Sequence, residues 1–143
     1  MAALAPDVEE FLAEPHVAAL STVRPDGRPH VIPVWYAWDG REFTVASHRE
    51  LQKVRNVAKK GFAALSIFTT EFPYKQVTVE GLAKVGGPLD NVWRERLAVR
   101  YLGEAGGRAY VQDTFEHDVV AINIRPLKWH TEGFGLAEGE DDG

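Results

Sequence analysis

Cations crowd one short stretch of this chain. Between Ser47 and Lys60 stand Arg49, Lys53, Arg55, Lys59 and Lys60, with Gln52 and Asn56 among them. Ser47 and Glu50 are three residues apart and fit a capping box that would start a helix. Leu51, Val54 and Ala58 recur at helical spacing and should face a core. Arg49, Gln52, Lys53, Asn56 and Lys60 fall on a second face, flanked by Arg55 and Lys59. A helix start offers free backbone N–H groups, and cations beside it make a seat for a phosphate. A solvated basic face on an amphipathic helix would carry the same residues, so the surrounding elements must decide between the two.

Other chemistry is sparse. None of the 143 residues is cysteine, which removes disulfides, thiolate metal sites and cysteine nucleophiles. The five histidines (His16, His30, His48, His117 and His130) show no paired metal spacing, so no metal site is expected. There is no G-x-S-x-G run and no carboxylate pair that reads as catalytic, so no catalytic residue is assigned. A net charge of -5 argues against a general nucleic-acid binder. A local positive site on an acidic protein suits a small anionic ligand. No apolar run reaches membrane-spanning length, and Met1 to Asp7 shows no basic region followed by a long apolar one. A cytoplasmic protein with no membrane partner is expected.

The elements that would position the cations follow from the pattern. Pro6 to Glu14 reads as a short helix stopped by Pro15. His16 to Val23 and His30 to Trp38 read as strands joined by a turn with Asp26-Gly27 at its centre. Pro33 marks the second strand as an edge or a bulge. Glu42 to Ala46 is a third strand, followed by the basic helix, with Gly61 as its C-cap. Phe62 to Phe68 and Tyr74 to Val85 are strands, the latter with a bulge or close approach at Gly81. A helix from Gly86 to about Leu102, a loop over Gly103 to Gly107 and a short helix from Arg108 to Phe115 come next. Asp118 to Arg125 is the sixth strand, bent at Pro126 and continued to Thr131. One domain over residues 1–143 is expected, mainly β: a six-stranded antiparallel barrel with peripheral helices, flexible over 1–5 and 133–143.

In sequence order, His16 to Val23, Asp26 to His30, Pro33 to Tyr36, Gln52 to Asn56 and Val79-Glu80-Gly81 resemble the pyridoxamine 5′-phosphate oxidase-like split-barrel family. Within it, the chain is similar to the smaller flavin/deazaflavin oxidoreductases. The resemblance spans roughly residues 8 to 131. It implies a homodimer with cofactor sites at the subunit interface, and as cofactor the deazaflavin coenzyme F-420 or, alternatively, FMN. It implies that the phosphate sits among Ser47, Gln52, Lys53, Arg55 and Asn56, with Lys53 and Arg55 as the binding pair. The ring system would lie along Ile32, Pro33, Val34 and Trp35. Tyr74, Lys75 and Gln76 would come close at the start of the fifth strand, and Trp129 and His130 would approach from the partner subunit. The activity implied is hydride transfer from the cofactor to a small electron-poor organic acceptor. The rival reading is a non-catalytic flavin- or haem-binding carrier or sensor of the same fold.

Overall fold

The computed structural model describes residues 4–114 and 116–135. Its elements, in chain order, are α1 (Pro6–Ala13), β1 (Ala18–Val23), β2 (Pro29–Val34), β3 (Ala37–Trp38), β4 (Phe43–His48), α2 (Gln52–Lys60), β5 (Phe62–Phe68), β6 (Gln76–Pro88), α3 (Asn91–Thr114) and β7 (Val119–Glu132). The strands form one sheet in the order β2-β1-β5-β6-β7-β4-β3, and every neighbouring pair is antiparallel.

The two ends of that order decide the shape. Edge strands β2 and β3 are joined in the chain by Trp35 and Tyr36 alone. So short a link forces the sheet to curl until its edges meet, leaving a split between β2 and the β3–β4 side. The structure is thus the expected antiparallel split barrel with peripheral helices. It has seven strands rather than six, because the segment expected to run from His30 to Trp38 breaks at Trp35-Tyr36 into β2 and β3. Pro33 lies on the free edge, where a missing N–H costs nothing. The expected irregularity at Gly81 is present as a register shift, and a Cβ there would stand 2.3 Å from the Arg125 carbonyl oxygen.

Alternation places Leu20, Val45, Leu65, Ile67, Val77, Val79, Ile122 and Ile124 inside, all fully buried with Tyr36 and Phe43. Helix α1 closes one end of this core with Val8, Phe11 and Leu12. Residues 133–135, expected to be loose, pack back on α1: the Phe134 ring meets Phe11 edge-on at 5.3 Å, and Gly133 is pressed against the Tyr74 carbonyl. The remaining terminal positions of that expectation, 1–3 and 136–143, lie outside the described residues, as does Phe115.

Two helices differ from expectation. Strand β6 runs on to Pro88, so α3 begins at Asn91 and not at Gly86, with Asp90 accepting from the Trp93 N–H at 2.9 Å. The loop expected over Gly103 to Gly107 shrinks to one residue: Gly103 (φ 81, ψ 174) breaks α3 into two helical halves. Among the described residues no helix is long and apolar enough to cross a membrane.

Candidate functional site

A cavity of about 410 Å³ opens at the split. One wall is Pro33, Val34 and Trp35 at the end of β2, and the other is Ala46, Ser47 and His48 at the end of β4. Lys53 enters from α2, and Arg94, Leu97 and Tyr110 come down from α3.

Helix α3 is fastened across the opening by specific bonds. Trp35 stacks on Tyr101 with ring centroids 4.7 Å apart and planes 6° from parallel. The Tyr101 hydroxyl donates to the His16 carbonyl at 2.7 Å and accepts from the Tyr36 N–H at 3.1 Å. Burial pushes the pKa of that hydroxyl up, so it stays protonated as a donor. Arg100 donates to the carbonyls of Leu12, Ala13 and Glu14, capping the C-terminal end of α1.

The far end of the cavity is cationic. Lys53 is 6 % exposed and has no hydrogen-bond or ion-pair partner among the described residues. Burial pushes its ammonium pKa down. The neighbours are also orphaned: His30 Nδ1 and Arg24 Nε are buried without partners. His30 pairs across the ladder with Thr22, and Arg24 lies two residues beyond Thr22, so all three address the same side of the sheet. Burial first, then the charges of Arg24 and Lys53, hold the His30 imidazole below its ordinary pKa. Buried cationic donors without partners are costly unless an anion completes them. No carboxylate lines the cavity, in a chain whose net charge is -5.

Of the expected site residues, Pro33, Val34, Trp35, Ser47 and Lys53 line the cavity. Ile32, on the same face of β2 as His30 and Val34, packs on the core and does not line the cavity. The capping box does not form. Ser47 is locked into the ladder opposite Val120, donates from Oγ to the His48 carbonyl at 3.0 Å, and leaves Leu51 as an N-cap without a side-chain bond. The inward face of α2 is therefore Lys53, Val54, Asn56 and Val57, while Leu51 and Ala58 are exposed.

Gln52, Asn56 and Arg55 form a chain of their own. Asn56, fully buried, donates from Nδ2 to Thr22 Oγ1 at 3.0 Å and accepts from Gln52 Nε2 at 2.6 Å. Arg55 is exposed and donates to Gln52 Oε1 and to the Glu50 carbonyl. These bonds fasten α2 to β1, and they turn Arg55 away from Lys53.

Tyr74, Lys75, Gln76, Trp129 and His130 do not line the cavity of their own chain. Lys75 lies over the Phe134 ring at 5.5 Å, Gln76 donates to Thr78, and His130 contacts Glu132 at 2.9 Å. Trp129, half-buried, sits opposite buried Val79 and packs against the core of its own barrel, meeting Trp38 edge-on at 5.7 Å.

Sequence reading missed Arg24, His30, His48, Arg94 and Tyr110. Signals for three of them existed. Thr22 with Arg24 and His30 with Ile32 keep strand alternation, and Arg94 stands three and four residues before buried Leu97 and Ala98.

Residues 4–132 match the family described as pyridoxamine 5′-phosphate oxidase. The chain belongs to this family. It is 33% identical over 91 residues to the biliverdin reductase of Mycobacterium tuberculosis that depends on reduced coenzyme F-420, covering 62% of this chain and 64% of the relative. It is 36% identical over 74 residues to the pyridoxine/pyridoxamine 5′-phosphate oxidase of Ectopseudomonas mendocina, covering 51% of this chain and 34% of the relative. The chain thus spans less than two thirds of the length of these curated family members. Among solved structures, a coenzyme F-420 reductase aligns with a TM-score of 0.70 at 30% identity, over 85% of this chain and 94% of that one. The haem storage protein of Vibrio cholerae shares the family fold with a TM-score of 0.70 at 20% identity, over 94% and 98% of the two chains.

Proposed function

We propose that this chain is an oxidoreductase that binds a flavin-type cofactor in the cavity at the split and acts on a small electron-poor organic acceptor. Coenzyme F-420 is the cofactor we favour, with FMN as the alternative. The observation that carries the reading is the unpaired cationic end of the cavity. Lys53 is buried without a partner, and Arg24 Nε and His30 Nδ1 near it are buried without a hydrogen bond, the environment a cofactor phosphate completes. The similarity to a coenzyme F-420 reductase at 30% identity supports the deazaflavin, and the similarity to a pyridoxamine phosphate oxidase supports FMN.

Each element of the chain then has a task. Lys53, Arg24 and His30 hold the phosphate. Pro33, Val34, Trp35 and Ser47 flank the ring system, with the proline edge leaving that stretch of β2 without a further ladder partner. Asn56 and Gln52 keep α2 against β1 and so keep Lys53 in register. Helix α3, tied down by Tyr101 and Arg100, shields the cavity from bulk water. When bound, the cofactor supplies the hydride chemistry, and the protein supplies binding, orientation and electrostatics.

A homodimer belongs to the same proposal. The outward face of β1, β2, β5 and β6 carries small residues (Ala19, Ser21, Ala64, Ser66) beside exposed Val31, Phe62, Phe68 and Leu82. Such a face is suited to a second copy. Dimerisation would also carry Tyr74, Lys75, Gln76 and His130, which lie around the ends of β6 and β7, towards the partner's cavity.

Parallel fluorescence titrations of the purified protein with coenzyme F-420 and with FMN test the reading. Binding of one of them, followed by turnover with an electron-poor acceptor, is the expected result. Binding without turnover would favour the carrier or sensor, and binding of neither would overturn the cofactor assignment.

A further inference from the structure

Arg94 is a second buried cation in the cavity wall, 6 % exposed, and no ion pair engages it among the described residues. Its bonds are all to neutral acceptors. Nη1 donates to Asn91 Oδ1 at 2.9 Å and to the Thr114 carbonyl at 3.0 Å, and Nη2 donates to Thr114 Oγ1 at 2.5 Å. A guanidinium carries five N–H donors, so two are left. Because Nη1 and Nη2 both reach Thr114, the end-on fork is taken, and the side edge, Nε–H with the second Nη2–H, stays open. That edge offers two parallel donors, the arrangement that matches a carboxylate.

The surroundings fix the kind of molecule that would bring the carboxylate. Trp35 and Tyr110 stand in the same wall with ring centroids 5.5 Å apart, and Leu97 is one turn from Arg94. Flat apolar surface thus adjoins a buried planar cation, in a cavity without acids. Thr114 lies on the second half of α3, beyond the break at Gly103, so the guanidinium is held from two directions and is pre-organised.

We propose that Arg94 is a carboxylate-recognising residue, and that the acceptor taken by this cavity is an aromatic or conjugated carboxylate. The inference rests on the oxidoreductase reading for the word acceptor, while the anion site itself stands on geometry alone. It deepens the cofactor assignment, because Lys53 and Arg94 then serve two different anionic groups.

Naphthoate and its neutral isostere naphthamide make the probe pair, titrated into the cofactor-free protein by tryptophan fluorescence. The wild-type chain is expected to bind naphthoate at least tenfold tighter than naphthamide. Arg94→Gln should bring that ratio to within twofold of one while leaving naphthamide affinity unchanged. Arg94→Lys, which keeps the charge and loses the fork, should retain part of the preference, and it carries the test if the glutamine variant does not fold. Thr114→Ala removes one bond to Arg94 yet keeps the open edge, so the ratio should survive. Lys53→Gln should leave the ratio within twofold of wild type. A wild-type ratio near one, a ratio that persists in both Arg94 variants, or one abolished by Lys53→Gln instead would overturn the proposal. If the ratio holds and neither cofactor binds, the oxidoreductase reading fails and the carboxylate site stands; if a cofactor binds and the ratio fails, only the Arg94 assignment falls.

Discussion

The two sides of this barrel treat their polar residues in opposite ways. On the β6–β7 side, Gln76 is bonded to Thr78, Lys75 covers the Phe134 ring, His130 meets Glu132, and half-buried Trp129 packs against the core. At the split between β2 and β4, Lys53 is buried with no partner, and Arg24 Nε and His30 Nδ1 are orphaned beside it. Both sides carry residue types capable of holding a ligand. On the β6–β7 side the unpaired buried atom is the neutral indole Nε1 of Trp129, whereas at the split it is a buried ammonium with an orphaned guanidinium nitrogen beside it. Residue type identifies who could bind, whereas the missing partner identifies where binding is needed.

The largest effect expected from this contrast is structural. Trp129→Ala should cost about 2 kcal/mol of stability, as removal of a large, half-buried aromatic packed against a core does. Chemical denaturation would measure it, and a loss below ~1 kcal/mol would mean that the indole is free to reach outward after all. Asn56→Ala comes next. It strips the buried partner from Thr22 and from Gln52, at a cost of about 1–3 kcal/mol, and should weaken cofactor binding through displacement of α2. Retained stability with lost binding would move Asn56 from a fastening role to direct ligand contact.

Protonation of His30 gives a smaller effect whose sign is fixed. Its folded-state pKa is lowered from the ordinary 6.5 by burial and then by the Arg24 and Lys53 charges. The unfolded chain therefore takes up the proton first as pH falls. The stability penalty is absent above the ordinary histidine range, and stability is lost as pH drops from about 6.5 through the folded value. Denaturation curves of His30→Gln should show less of that acid-side loss than wild type. A bound phosphate should reverse the local field, so His30 should titrate at higher pH in the complex by NMR. The smallest effect is expected on the β6–β7 side: Lys75→Ala, which removes a partly exposed cation, should change cofactor affinity by no more than about threefold, and a tenfold loss would erase the contrast.

Much of the fold was legible because its signals are local. Asp26-Gly27 made the hairpin, Gly61 ended α2 in the left-handed region (φ 79), and Pro33 marked a free edge. The failures came where tertiary pairing overrode a local motif. Ser47 and Glu50 have capping-box spacing, yet the ladder to β7 holds Ser47 in β4 and the helix starts later. With α2 starting at Gln52, Lys53 turns inward beside Val54, Asn56 and Val57 while Arg55 stays exposed, a difference that the family resemblance, which pairs the two, does not carry. Arg24, His30 and Arg94 were illegible as site residues for another reason. The β1–β2 hairpin sets Arg24 and His30 side by side, but only the packing of α2 brings Lys53 to them, and only the folding of α3 over the split brings Arg94 into the cavity wall.

The central claim is that the unpaired cation, and not the exposed one two residues away, holds the cofactor phosphate. The direct measurement is the dissociation constant of the bound cofactor for Lys53→Ala against Arg55→Ala. A charge-assisted bond to a buried group is worth about 1.5–3 kcal/mol, so Lys53→Ala should weaken binding roughly 10- to 150-fold. Arg55→Ala, which removes an exposed side chain bonded within its own helix, should stay within about twofold. Equal losses in the two variants, or a larger loss at Arg55, would contradict the account.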